Sequence, residues 1–126
     1  MFTSGCEYTR GEIHAQVGGS VVSCLPTRNG AIVAACLNKK FSPGAPEVVL
    51  CGRGLRTTPL SAEFARQKIP IAVFLKSAPN RWRYRGQFVV ARSFTSGARF
   101  EGFIVGSGRS VESVSYVVIL KPSVTG

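Results

Sequence analysis

Short apolar runs separated by turn residues set the pattern of this chain. Ala31 to Leu37 is an uninterrupted apolar run after Arg28-Asn29-Gly30, and Val48 to Cys51 is another ahead of Gly52 and Gly54. Runs of that length between turn signals predict buried strands. Ile71 to Lys76 reads the same way, and Arg83 to Arg92 alternates about Gly86 as a half-buried strand does. Arg99 to Val105 and Ser115 to Leu120 complete the expected sheet. Two short helices interrupt it. Thr9-Arg10-Gly11-Glu12 has the T-x-x-E form of a capping box, which predicts a helix from Arg10 to about Gln16, closed by Gly18-Gly19. Ser61 to Lys68 is the second, with Ser61 as cap, Phe64 toward the core and Pro70 as the stop. The 14 glycines and 7 prolines fit many strands joined by turns. The expected class is α+β, mainly β, with no repeat, low-complexity segment or linker.

Composition narrows the class. At 126 residues the chain is expected to be one domain, 1–126, since halves of about 60 residues would each have a meagre core. Lys and Arg number 16 against 6 acidic residues, all Glu, for a formal charge of +10. An acidic partner follows as the first expectation. With 44% hydrophobic and 17% charged residues, the charge belongs on a folded surface rather than a disordered tail. No apolar run approaches the roughly 18 residues of a membrane span and no secretory leader is visible, so the expected setting is soluble and intracellular. That means cytoplasm or nucleoid in a bacterium, and nucleus in a eukaryote.

The chemical inventory is small. Cys6, Cys24, Cys36 and Cys51 form no C-x-x-C pair and His14 is the single histidine, which argues against zinc. Cys36 and Cys51 lie in apolar runs and read as reduced core thiols. With no Asp and one His, acid–base and metal sites lack parts, so no catalytic residue, metal or cofactor is expected. His14 reads as a packing or capping residue. Gly52-Arg53-Gly54 has neither the lysine nor the spaced third glycine of a nucleotide loop.

The most informative stretch is Asn80-Arg81-Trp82-Arg83-Tyr84-Arg85-Gly86-Gln87-Phe88-Val89-Val90. On a strand Arg81, Arg83 and Arg85 share one face, and Trp82 and Tyr84 the other. Two readings stay open on residue types alone: a phosphate-contacting row backed by base-stacking rings, or a solvated face with Trp82 and Tyr84 in the core.

Tyr84-Arg-Gly86-Gln-Phe88-Val-Val90, then Phe100-Glu-Gly102-Phe103-Ile-Val and Tyr116-Val-Val-Ile-Leu, resembles the Y-x-G-x-Y-x-V, G-F-x-V and closing-strand succession of SRA (SET and RING associated) domains, within the PUA-like superfamily. Upstream, Arg10-Gly-Glu-Ile-His14, Gly18-Gly19 and Val48-Val-Leu50-Cys-Gly52-Arg-Gly54 resemble the first helix, G-G loop and Gly-rich turn of SRA-like readers in modification-dependent restriction endonucleases. The resemblance implies a twisted, partly open β-barrel with flanking short helices. It also implies binding of duplex DNA by flipping a modified base, such as 5-methylcytosine or a derivative, into a concave pocket. The chain would then be the targeting module of a restriction or chromatin system, with an effector outside it. Backbone contacts fall to Arg10, Arg28, Lys39, Lys40, Arg53, Arg81, Arg83 and Arg85. The base pocket falls to Gly18, Gly19, Asn38, Phe41, Trp82 and Tyr84, with Gly18-Gly19 as its floor. Where SRA domains carry a stacking aromatic and a cytosine-pairing Asp, this sequence reads Asn38-Lys39-Lys40-Phe41-Ser42-Pro43, and the second aromatic near Leu50 is absent. An RNA-binding PUA-like module is the alternative, and a small enzyme on the same scaffold is a third class.

Overall fold

Residues 1–123 are described in a computed structural model. β1 (Glu7–Tyr8) leads into α1 (Arg10–Val17), whose start carries the full capping box. Glu12 N donates to Thr9 Oγ1 at 3.1 Å and Thr9 N donates to Glu12 Oε1 at 2.8 Å. Gly18, at φ 81°, ends the helix, its N–H bonding the His14 carbonyl at 2.8 Å. Arg28-Asn29-Gly30 makes the hairpin between β2 (Thr27–Arg28) and β3 (Ala31–Ile32), with Asn29 and Gly30 at φ 53° and 79° as a primed turn requires.

The main sheet is mixed. β4 (Ala34–Leu37), β6 (Ile71–Ala78), β7 (Arg81–Phe94), β8 (Val114–Pro122) and β5 (Val48–Gly52) lie side by side in that order, and β1 pairs with β7. β4 runs parallel to β6, and the other pairs are antiparallel. β7 is 14 residues long because it serves two neighbours, β6 along Arg81–Phe88 and β8 along Phe88–Phe94. Register shifts at Val73/Phe74, Lys76/Ala78 and Val90/Arg92 break its pairing. Each shift leaves a residue unopposed and adds twist, and the sheet curls into a half-barrel.

Three packed clusters hold the layers. Phe64 of α2 (Thr57–Arg66) is fully buried against Ile71, Val73, Phe88 and Leu120 of the sheet. Ile13 of α1 packs with Ala34, Cys36, Ala72, Phe74 and Tyr84. Phe100 and Ile104 of α3 (Ala98–Ile104) close over Leu50, Val114 and Val117.

Three expectations are corrected. Arg99 to Val105 is helix α3, not a strand: Phe100, Phe103 and Ile104 stand at i, i+3 and i+4, so one helical face meets the sheet. The G-F-x-V likeness therefore does not mark a strand here. Ala31 to Leu37 is two strands divided at Val33, with Ala31–Ile32 in the hairpin and Ala34–Leu37 in the main sheet. Ser61 does not cap α2, which begins at Thr57. It is buried mid-helix, its hydroxyl donating to the Thr57 carbonyl at 2.8 Å.

Phe64→Ala empties the largest side chain at the α2 contact and should cost about 3–5 kcal/mol. Urea unfolding with an unchanged slope and a lower midpoint is the expected result, and an unshifted midpoint would contradict the packing described.

Candidate functional site

The parallel strands β4 and β6 reach a cavity of about 620 Å³ where their pairing stops, β4 ending at Leu37 and β6 passing it at Lys76 before its own end at Ala78. Its apolar wall includes Leu25, Leu37, Val49, Leu50 and Leu60, and the rings of Phe41 and Trp82 face it. Asn38 stands at the mouth, one residue past the end of β4. Ligand clefts of roughly 300–1,000 Å³ with few polar groups on an apolar lining are the common form of a binding site.

The charge of the lining is one-sided. Arg10, Lys76 and Arg109 line the cavity, and no acidic side chain does among the described residues. Arg10 is buried at 8% exposure, where a cation usually has a carboxylate partner. Its Nη2 instead donates to the carbonyls of Ser20 at 2.8 Å and Ser23 at 2.7 Å. Its guanidinium carbon lies 5.6 Å from the centre of the Trp82 ring, and Lys76 Nζ lies 5.8 Å from it. Arg10 Nε and Trp82 Nε1 are buried without a hydrogen-bond partner. Arg109 reaches in from the opposite side, its Nη1 donating to the Phe41 carbonyl at 3.0 Å and the Leu50 carbonyl at 3.4 Å.

Three thiols line the same space, those of Cys24, Cys36 and Cys51. Burial pushes all three above the ordinary thiol range, Cys36 to about 11 and Cys51 to about 12. At neutral pH they are protonated, weak nucleophiles and poor metal ligands. No cluster of three or more potential metal-ligating side chains occurs among the described residues.

Asn38, Phe41 and Trp82, assigned to the pocket on sequence, line this one cavity. Gly18, Gly19 and Tyr84 do not. Tyr84 is 8% exposed and packs its ring against Phe74 at 5.2 Å, so it belongs to the core. Gly18 and Gly19 lie one step removed: His14 Nδ1–H donates to the Gly19 carbonyl at 2.7 Å, which shapes the loop that brings Val22, Cys24 and Leu25 to the cavity. A Cβ on Gly19 would stand 2.8 Å from Pro26 Cβ, so that loop is closely packed.

Of the residues assigned to phosphates, Arg10 is misassigned, because it is buried and held by carbonyls. Arg53 is exposed but donates to the carbonyls of Glu112 at 3.1 Å and Val114 at 2.8 Å. Arg83 pairs with Glu7 at 3.2 Å and the Gly5 carbonyl at 3.0 Å. Arg81 and Arg85 are exposed, Arg85 being the unopposed residue of the bulge beside Gly86. Lys39 and Lys40 are exposed on the turn beside the cavity, and Arg28 is exposed on the hairpin. Lys76 and Arg109 were not singled out from sequence. Lys76 closes an apolar run and reads as a strand end, and nothing in Gly106-Ser-Gly108-Arg109 shows that its guanidinium folds back across β5.

No family model, no curated protein and no solved structure matches this chain.

The raised thiols give a direct expectation. A group held at about 11 is ionised to about one part in a thousand at pH 8, so Cys36 and Cys51 should resist iodoacetamide in the native protein. Cys6, exposed, should react first, and the buried pair only on unfolding or as the pH rises toward 11. Fast native labelling of Cys51, read by peptide mass, would contradict the closed lining.

Proposed function

We propose that this protein binds duplex DNA carrying a modified base and holds that base, flipped out of the helix, in the cavity where the pairing of β4 and β6 stops. The observation that carries this reading is the meeting of Asn38, Phe41 and Trp82 around one 620 Å³ space with three cations and, among the described residues, no acidic neighbour. Rings supply a stacking plane, an amide can read a base edge, and the cations favour a polyanion. Twisted β-sheet architecture agrees with the SRA-like resemblance at the level of a curled half-barrel.

Two further features support it. Val22 and Phe41, 86% and 53% exposed, stand on separate loops at the cavity. Val22, the more exposed of the two, suits insertion into the space a flipped base vacates, while Phe41 stays with the base at the cavity. Lys39 and Lys40 flank Phe41, with Lys40 Nζ 5.7 Å from its ring centre, and can meet the phosphates on either side. The lining offers no histidine or carboxylate to move a proton, and its thiols stay protonated, which favours binding over catalysis.

The deciding experiment titrates labelled duplexes with and without a central modified base, beside a structured RNA, across a salt series. Log affinity should fall linearly with log salt, with a slope of about −0.9 per neutralised phosphate. Lys39→Ala and Lys40→Ala should each reduce the slope by about 1 and weaken modified and plain DNA alike. A flat salt response overturns the reading, and preference for RNA over both duplexes reassigns the site to RNA. Phe41→Ala removes a half-exposed ring without emptying the core. Loss of one stacking contact predicts about ten- to hundredfold weaker binding of the preferred duplex at unchanged Tm.

A further inference from the structure

The polar groups that the cavity leaves free are nearly all donors. Trp82 Nε1–H and Arg10 Nε–H are buried beside it without partners, a state that is costly unless something accepts from them. Asn38 uses its carbonyl oxygen to accept from the Lys40 N–H at 2.9 Å, which leaves its NH₂ as the end turned to other partners. Lys76 adds an ammonium whose contact in the structure is the face of Trp82.

Acceptors are few. Ser42 Oγ already accepts from the Leu50 N–H at 2.9 Å, while Ser61 gives its proton to the Thr57 carbonyl and keeps its oxygen as a small buried acceptor. Thr57 alone contributes a hydroxyl free to act in either sense. Glu7, Glu12 and Glu63 are engaged elsewhere, with Arg83, the Thr9 amide and Arg66, and no glutamate lines the cavity. An exocyclic amine on an entering ring, such as that of cytosine or 5-methylcytosine, would find no carboxylate among the described residues to receive it, while a negatively charged edge would meet the positive charge of Arg10, Lys76 and Arg109.

We propose that the cavity is built for a flat ring presenting hydrogen-bond acceptors and a negative charge, and that the flipped base it selects carries a carboxylate substituent, as 5-carboxylcytosine does, rather than a methyl group. This rests on the duplex-reading function above and names its substrate class. In 5-carboxylcytosine the exocyclic amine hydrogen-bonds to its own neighbouring carboxylate, so the absence of a protein acceptor costs little. The outer carboxylate oxygen then meets the donors. Burial of Arg10 without a counter-ion becomes functional: its charge is neutralised when the ligand enters.

Trp82 is the one tryptophan of the chain, so its emission reports occupancy of this cavity separately from contacts along the backbone. Duplexes identical except for a central cytosine, 5-methylcytosine or 5-carboxylcytosine would be titrated at fixed salt, reading anisotropy and Trp82 emission together. The carboxylated duplex should bind at least about tenfold tighter than the methylated one and should alone change Trp82 emission markedly. Lys76→Gln, an exposed position that leaves the core intact, should shrink the ratio of carboxylated to methylated affinity to about threefold or less, whatever general weakening of duplex binding the lost charge also brings. Salt-dependent binding with equal affinity for all three duplexes, or with the methylated one preferred, overturns this inference and leaves the duplex-reading function standing. If no duplex binds but free 5-carboxyl-2′-deoxycytidine monophosphate perturbs Trp82 and the 5-methyl compound does not, the cavity chemistry is upheld and the duplex reading falls. Silence with both duplexes and free nucleotides overturns both.

Discussion

A buried guanidinium without a carboxylate partner ties one end of this molecule together. Arg10 is the first residue of α1, and the capping box on Thr9 and Glu12 fixes where that helix begins and therefore where the side chain starts. From there it reaches the Ser20 and Ser23 carbonyls of the following loop and the ring of Trp82 on β7. Its own amide donates to Asn80 Oδ1 at 2.9 Å, in the turn before β7. Helix, loop and strand are thereby held about one charge, and the cavity lies where they meet. Neutral carbonyls satisfy hydrogen bonds but leave the positive charge in place. The fold therefore carries an electrostatic cost at this point that a bound anion would relieve.

The sheet geometry explains why the cavity opens there. A parallel pair ends both strands at the same edge, and beyond Leu37 the chain turns out through Asn38 to Phe41 before returning as β5. β5 pairs only with β8 on the far side of the sheet, so β4 and β5 face each other without hydrogen bonds between them. The space left in that unclosed seam is filled at its base by α2 and crossed by Arg109 from the loop before β8. Bulges along β7 supply the curl that brings the two edges to face one another.

Local signals in the sequence were legible where local physics decides. The capping box, the Asn29-Gly30 hairpin and the apolar runs of β5, β6 and β8 read directly, because each depends on neighbours a few residues away. Helix α3 was misread for the opposite reason: Phe100-Glu-Gly-Phe-Ile-Val suits either period, and the choice depends on a sheet face of Leu50 and Val117 that only the assembled fold supplies. Side chains assigned to the cavity separated on the same ground. Trp82 and Tyr84 share one strand face, yet Tyr84 is buried with Phe2 and Phe74, while Trp82, two register positions nearer the end of β6, packs at the margin of that cluster and also lines the cavity. The burial of Arg10 is not readable in the sequence because guanidinium groups look alike there, and only the assembled loop of Ser20 and Ser23 carbonyls sets it apart from the surface charges.

Charge and cavity thus stand in a definite relation. Net charge of +10 attracts any polyanion and discriminates poorly, since phosphates are the same along every sequence. Selectivity must come from a place where water is excluded and hydrogen bonds are costly to leave unmade, and the described residues form such a place beside Trp82. On the proposed reading, the unbalanced positive charge of Arg10, Lys76 and Arg109 along that lining would favour a ligand that brings acceptors over one that brings donors.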